Sequence, residues 1–264
     1  MKILVIGDIV GKSGRKAVED IIPSLKEEEE IDFVIANGEN SAGGSGITPK
    51  ITQELLACGI DVITTGDHIW KRKEVLEIID REPRLLRPAN YPLGVPGKGS
   101  VVIAAGNKVK VGVINLLGRI FMKPLECPFR TAEDEIKKIS QSTKIIIVDI
   151  HAEATSEKIA LGYFLDGKVS AVIGTHTHVQ TADEKILPQG TAYITDIGMV
   201  GSSNSVLGRE IEPIIKRFLT GLPTHFGIAA ENTVLSGAIL EINPETGRAS
   251  KIQRITYQSR SNSS

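Results

Sequence analysis

VSAVIGTHTH, residues 169–178, runs from a short apolar segment through a glycine straight into two histidines. A brief β-branched run that stops at glycine reads as a strand buried on both faces. The positions just past such a strand are where open α/β sheets bind their ligands. The same pattern recurs upstream. KIIIVDIH (144–151) ends in Asp149-Ile150-His151, IDVITTGDH (60–68) in Gly66-Asp67-His68, DFVIANGEN (32–40) in Glu39-Asn40, and KILVIGD (2–8) in Asp8. Of the five histidines, only His225, in LPTHFG, lacks this context, and a structural role is expected for it.

Segments with helical spacing separate these strands. Lys12–Glu30 reads as a helix with Ser13 as its N-cap, kinked or divided at Pro23. ITQELLACG starts after Thr48-Pro49, an N-cap followed by proline at the first helical position, and stops at Gly59. KRKEVLEIID (71–80), TAEDEIKKISQS (131–142), Thr155–Leu165 and EIEPIIKRFLTG (210–221) are the other expected helices. LLRPANYPLGVPGKG (85–99) reads as a long surface loop. VVIAAGNKVKVGVINLLG (101–118) reads as a hairpin turning at Gly106-Asn107, and VLSGAILEI with ASKIQRITY as another. The expectation is an α/β fold, a two-layered β-sheet sandwich flanked by helices, in a single domain over residues 1–258. Within it, 84–130 supplies lid loops and a hairpin, and 259–264 is a disordered tail.

Composition narrows the class. Over 264 residues the chain is 41% hydrophobic but only 4% aromatic, which implies a large aliphatic core. A net charge of −1 excludes bulk attraction to nucleic acid or anionic membrane. The two cysteines, Cys58 and Cys127, have neither disulfide-framework nor zinc-finger spacing. With no signal peptide and no membrane span, a cytoplasmic protein is expected. Gly11-Lys12-Ser13 imitates the end of a phosphate-binding loop, but the glycine required five residues earlier is Ile6.

Histidine nitrogens and carboxylate oxygens gathered at one sheet edge are the makings of a transition-metal centre. His176 and His178 are two apart, so in an extended segment both face one side and can serve two neighbouring ions. Glu39 can bridge the ions through its two oxygens. The mixed nitrogen and oxygen donors suit iron, manganese or zinc and argue against a structural cysteine site.

These elements resemble the calcineurin-like metallophosphoesterases, and most closely their YmdB-like branch. The resemblance is carried by GDIVG (7–11), NGEN (37–40), GDH (66–68), RPANYP (87–92), HAEATSEK (151–158) and GTHTHVQTAD (174–183), over nearly the whole chain. It implies two divalent or trivalent transition-metal ions, iron first and manganese or zinc as alternatives. Asp8, Glu39, Asn40 and His178 would hold one ion, and Glu39, Asp67, His151 and His176 the other, with His68 as the catalytic acid. Val10 stands where the wider superfamily has a histidine, and Asn40 supplies the donor instead. Asp67 stands where GNH usually carries an amide; its added charge lowers the metal's Lewis acidity and bears on metal preference and rate.

The resemblance further implies a phosphodiesterase acting on cyclic nucleotides, 2′,3′- or 3′,5′-cyclic AMP, by attack of a metal-bridging hydroxide. His68 would protonate the leaving oxygen. The alternatives are a phosphomonoesterase, or a regulatory protein that binds metal and nucleotide without turnover. The expected partner is a small phosphodiester; a homo-oligomer is left open. Secondary candidates are Arg119 and the amides of Gly43–Gly46 as phosphate contacts, Asp149 and Asp196 behind the metal ligands, and Trp70 as a base-stacking ring. A surface role for Arg119 and a turn-forming role for the glycines stand as equal alternatives, and capping or core packing is the stronger expectation for Asp149, Asp196 and Trp70.

Overall fold

The computed structural model of the chain describes residues 1–106 and 109–259. The Gly106-Asn107 turn and most of the expected tail therefore lie outside the described residues. The order begins β1 (Lys2–Ile6), β2 (Asp8–Ile9), α1 (Gly11–Glu28), β3 (Phe33–Asn37), α2 (Pro49–Ala57), β4 (Val62–Thr64). After two 3₁₀ turns come β5 (Ser100–Ala104), β6 (Lys110–Leu117), α3 (Pro128–Ile139), β7 (Ile145–His151), α4 (Thr155–Phe164) and β8 (Ala171–Thr175). The last elements are β9 (Lys185–Ile186), β10 (Ala192–Ile194), β11 (Met199–Ser202), α5 (Ile211–Thr220), β12 (Thr233–Ile242) and β13 (Ala249–Gln258).

Two sheets form. The first has the order β2-β11-β12-β1-β3-β4 with β13 on β12, and the second β5-β6-β7-β8-β10-β9. Strands β1, β3 and β4 run parallel in the first sheet; β6, β7, β8 and β10 run parallel in the second. Their near-continuous apolar runs follow from burial on both faces. In β1, Ile3 and Val5 face the second sheet while Leu4 and Ile6 face α1 and α2. In β7, Ile145 and Ile147 face the first sheet while Ile146, Val148 and Ile150 pack in the layer with Leu161 of α4 and Ile139 of α3. The sandwich with flanking helices is as the sequence suggests.

The period of two also decides the polar chemistry. Extending the inward series past Ile147 brings Asp149 and His151 to the same face. The inward series of β3 ends at Asn37, that of β4 at Thr64, and that of β8 at Thr175. The apolar layer between the sheets thus turns polar at the strands' carboxyl ends, which is where the ligand-binding loops leave.

Several local expectations need correction. The helix over 71–80 is instead two 3₁₀ turns, Ile69–Lys71 and Lys73–Glu77. Arg72 between them is extended, and its guanidinium donates to the carbonyls of Ala42 and Ser45, so a tertiary tie outweighs helical propensity. Val10, not Ser13, is the N-cap of α1; the Ser13 hydroxyl donates to the carbonyl of Ala229. Pro23 does not divide α1, because it lies on the exposed side, where water can serve the carbonyl it leaves without a donor. Thr48 does cap α2, accepting from the Ile51 amide. The 85–99 segment is not wholly superficial: Leu85 and Leu86 are fully buried and bridge to Ile63 and Lys98. Asn90, also buried, donates to the carbonyls of Leu117 and Glu126 and so ties the 85–99 segment to the end of β6 and the loop that follows it.

Candidate metal centre

Every donor expected from the sequence converges at the joined carboxyl ends of the two sheets. Asp8 follows β1 and is fixed by pairing with Met199 of β11; its Oδ2 accepts the His176 amide at 3.2 Å. The loop after β3 carries Glu39 and Asn40, and the Gly11 amide donates to the Asn40 carbonyl, so the supposed phosphate loop holds a donor residue instead. The glycines of this loop serve the turn. Gly43, Gly44 and Gly46 have positive φ, and a side chain at Gly44 or Gly46 would strike Arg209 or Arg72.

His176 and His178 reach the site by a different route from the one expected. β8 ends at Thr175, and the two histidines have left-handed backbones with φ of 102° and 64°, so the segment is not extended. Non-glycine residues hold such φ values at a cost of about 1–3 kcal/mol each when surroundings enforce them. Here Asp196 enforces them. Its Oδ2 accepts from the Thr177 amide and hydroxyl at 3.0 and 2.8 Å, and from the ammonium of Lys158 at 2.8 Å. Lys158 and Asp196 are both fully buried, so neither charge tolerates loss of the other.

Two groups of donors share Glu39. In the first, Glu39 Oε1 lies 3.1 Å from His151 Nε2, and His176 Nδ1 lies 3.0 Å from the same nitrogen. Asp67 Oδ1 is 3.6 Å from His151 Nε2, and one atom from each of these residues falls within 4.8 Å of every other. In the second group, Asn40 Nδ2 lies 3.2 Å from Glu39 Oε1, 3.2 Å from His178 Nε2 and 3.4 Å from Asp8 Oδ1. His68 stands beside both. Its Nδ1 is 2.9 Å from Asn40 Oδ1, its amide donates to Glu39 Oε2, and its ring remains partly open to solvent.

This arrangement fits cations better than a closed hydrogen-bond network. Asp67 Oδ1 is buried without a hydrogen-bond partner, a costly state unless an ion takes it up. A methyl group at Gly66 would overlap the His151 ring and the Glu39 carboxylate, so the backbone leaves room between those donors. The set contains nitrogen and oxygen and no thiolate, which suits borderline transition metals.

Burial alone would raise the carboxyls of Asp8 and Asp67, yet both are held below the usual range. His178 and His151 do this for Asp8, and His151 and His68 for Asp67. The converse holds for His151 and His178. Burial lowers each, but Glu39 and Asp67 hold the first well above its ordinary value and Asp8 raises the second. His176 is lowered, by burial and then by the charge of His151. The carboxylates thus draw protons onto neighbouring histidines, and a cation bound among them would release those protons.

Outer contacts aim the donor nitrogens. The Thr175 hydroxyl donates to Asp149 Oδ1 at 2.7 Å and lies 2.9 Å from His151 Nδ1. With Nδ1–H pointed to Thr175, release of the Nε2 proton would turn that nitrogen's lone pair toward an ion. Asp149, which also accepts from Thr64, is pushed up by burial to about 6. His178 Nδ1–H donates to the Leu207 carbonyl at 3.2 Å, and His176 Nε2 faces Glu153 at 3.2 Å. Asp149 and Asp196 thus stand behind the histidines, as considered from the sequence. Thr64, Thr175, Glu153 and Lys158 were not singled out, although HAEATSEK contains Glu153 and Lys158 and GTHTHVQTAD contains Thr175.

The remaining candidates take structural roles. Arg119 donates its amide to the buried Glu157 carboxylate, and its guanidinium sits 3.6 Å from Cys127 Sγ. Trp70 packs edge-on against Tyr91 at 5.8 Å. His225 is exposed and does not line the cleft. Both cysteines are free, and among the described residues no helix is long and apolar enough to cross a membrane.

Comparison with known proteins agrees with this geometry. The family model described as "YmdB-like protein" matches residues 4–255. A 2′,3′-cyclic-nucleotide 2′-phosphodiesterase of Bacillus subtilis is 51% identical over 97% of this chain and 96% of its own length. The crystal structure of a novel phosphatase from Mycoplasma pneumoniae superimposes with a TM-score of 0.91 at 36% identity, covering 98% of this chain and 93% of that one. A calcineurin-like phosphoesterase of Bacillus subtilis shares the fold at 12% identity, with a TM-score of 0.58 over 99% of this chain and 91% of that one. The donors at the sheet edge and the match along almost the entire sequence lead to one conclusion: the chain belongs to the YmdB-like protein family.

Proposed function

We propose that the chain is a dinuclear-metal phosphodiesterase that opens cyclic nucleotides, 2′,3′-cyclic AMP in particular. The observation that carries the reading is the place of Glu39 Oε1, 3.1 Å from His151 Nε2 and 3.2 Å from Asn40 Nδ2, between two groups of donors. Asp8, Glu39, Asn40 and His178 would hold one ion, and Glu39, Asp67, His151 and His176 the other. Iron is the first choice, with manganese and zinc next. When bound, such a pair supplies Lewis acidity and lowers the pKa of the water that attacks phosphorus.

The chain's own residues do the rest. Asn40 now turns its amide nitrogen toward Asp8, Glu39 and His178; offering Oδ1 instead needs the amide to turn over. Asn40 Oδ1 engages His68 Nδ1, so Nε2, 3.7 Å from Asp67 Oδ2, is the nitrogen that would meet substrate. From Nε2 a proton passes to the departing ribose oxygen, the step a diester most needs help with. The name of the Bacillus subtilis relative supports the 2′ oxygen as that leaving group, and a nucleoside 3′-phosphate as product. Unpaired cysteines accord with a reducing, cytoplasmic setting.

The test is metal analysis of protein purified without chelator, beside turnover of 2′,3′-cyclic AMP, 3′,5′-cyclic AMP and adenosine 3′-phosphate. Two ions per chain and fastest loss of the 2′,3′-cyclic diester are expected. Faster turnover of the monoester would make the protein a phosphomonoesterase. Binding of cyclic nucleotide without cleavage would make it a regulatory binder.

A further inference from the structure

The cleft that exposes His68, His176 and His178 encloses about 390 Å³, within the usual size of a small-ligand site. Beside the donors its lining is apolar, with Leu207, Ile214, Phe218 and Phe226, and with Arg209 among them. Phe218 is 82% exposed and Leu207 46%.

Leu207 and Arg209 tie part of this wall to the donors. Leu207 has a left-handed backbone at φ 53° although it is not glycine, and its carbonyl accepts the His178 Nδ1–H. Arg209 donates to the Gly44 carbonyl in the loop that carries Glu39 and Asn40, and its guanidinium lies 5.4 Å from the centre of the Phe226 ring. A flat apolar ligand lying on this wall would therefore have its attached charged group at the donors.

On the reading that the donors hold a nucleotide's phosphate, we propose that Leu207, Phe218 and Phe226 form the subsite for its base. Aromatic stacking is worth about 1–3 kcal/mol per base and is tolerant of base identity. Among the described residues of the cleft, Leu207, Ile214, Phe218 and Phe226 carry no side-chain group that reads a base edge, and the carboxylates and carboxamide belong to the donor side. The subsite should therefore favour nucleotides over base-free diesters without choosing strongly among bases.

The experiment compares metal-replete wild type with Phe218→Ala and Phe226→Ala. The substrates are 2′,3′-cyclic AMP, 2′,3′-cyclic UMP and ribose 2′,3′-cyclic phosphate lacking a base. Wild type should prefer both nucleotides over the base-free diester by about 10–100-fold, chiefly in KM. Phe218→Ala should lose about tenfold of that preference, leave the base-free substrate unchanged and sediment at the wild-type mass. An equal loss on all three substrates, or an altered assembly mass, overturns the proposal; the latter would make this face of α5 a contact between copies of the chain. Failure of the cyclic-nucleotide reading shows separately, as a wild type that cleaves none of the three. Calorimetric binding of adenosine 3′-phosphate, weaker by about tenfold in Phe218→Ala, still reports the subsite in that event.

Discussion

Thr175→Val removes one oxygen and little shape, and it tests whether His151 is aimed by the chain of contacts behind it. The hydroxyl donates to Asp149 at 2.7 Å and meets His151 Nδ1 at 2.9 Å. A charge-assisted bond and a neutral one are lost between buried groups, together about 2–4 kcal/mol of stability. Loss of such an outer contact typically weakens metal binding by about 10–100-fold. The destabilisation should also depend on pH. Burial raises the Asp149 carboxyl from 3.8 to about 6 in the folded protein, so the folded state holds the extra proton between those values. Stability from this group is greatest below the unfolded pKa and falls as pH rises through the folded one. Without the Thr175 donor the ionised form is still less favoured, and the folded pKa climbs further. The loss in metal-free protein should thus be larger at about pH 7.5 than at about pH 4.5. Urea unfolding of chelated protein at both pH values, with a competition titration for metal, measures both effects. Equal destabilisation at the two pH values, with unchanged metal affinity, would refute the relay.

Other substitutions probe separate parts of the site. His68→Ala should keep both metals by elemental analysis yet lose about 10²–10⁴-fold in diesterase turnover, the usual range for a general acid; parallel loss of metal would instead make His68 a ligand. Asp67→Asn should leave the urea midpoint of the folded protein near wild type and shift metal preference or rate, and no change in either would take position 67 out of the ligand set. Lys158→Met leaves Asp196 buried and unpaired, and should cost about 3–5 kcal/mol in chemical denaturation. Because Asp196 holds Thr177, metal affinity should fall with it, and a variant as stable as wild type would show that the pair does not brace the His176–His178 turn.

The α/β class, the strands and the side chains that gather at the sheet edge were legible in the sequence because local pattern encodes them. Strand periodicity told which side chains share a face, and the acids and histidines just past Ile6, Asn37, Thr64 and Ile173 announced a site at one edge. The expected helix over 71–80 failed because the tie from Arg72 to the 42–45 carbonyls joins segments that no local window spans. The extended reading of His176 and His178 failed for a similar reason, since Asp196 and Lys158 impose the turn from elsewhere in the chain.

What the sequence determined by itself is therefore the inventory: which side chains can bind an ion, and that they sit at strand ends. Their grouping, which the sequence offered only through a family resemblance, takes its geometry from the tertiary structure. Stacking the two sheets placed Asp149 of β7 against Thr64 of β4 and set Glu39 between His151 and Asn40. It also brought the apolar wall of Leu207, Phe218 and Phe226 to the mouth of the same cleft. The physical reason is that the period along a strand fixes which way a side chain points, whereas what it meets depends on packing between layers far apart in the chain.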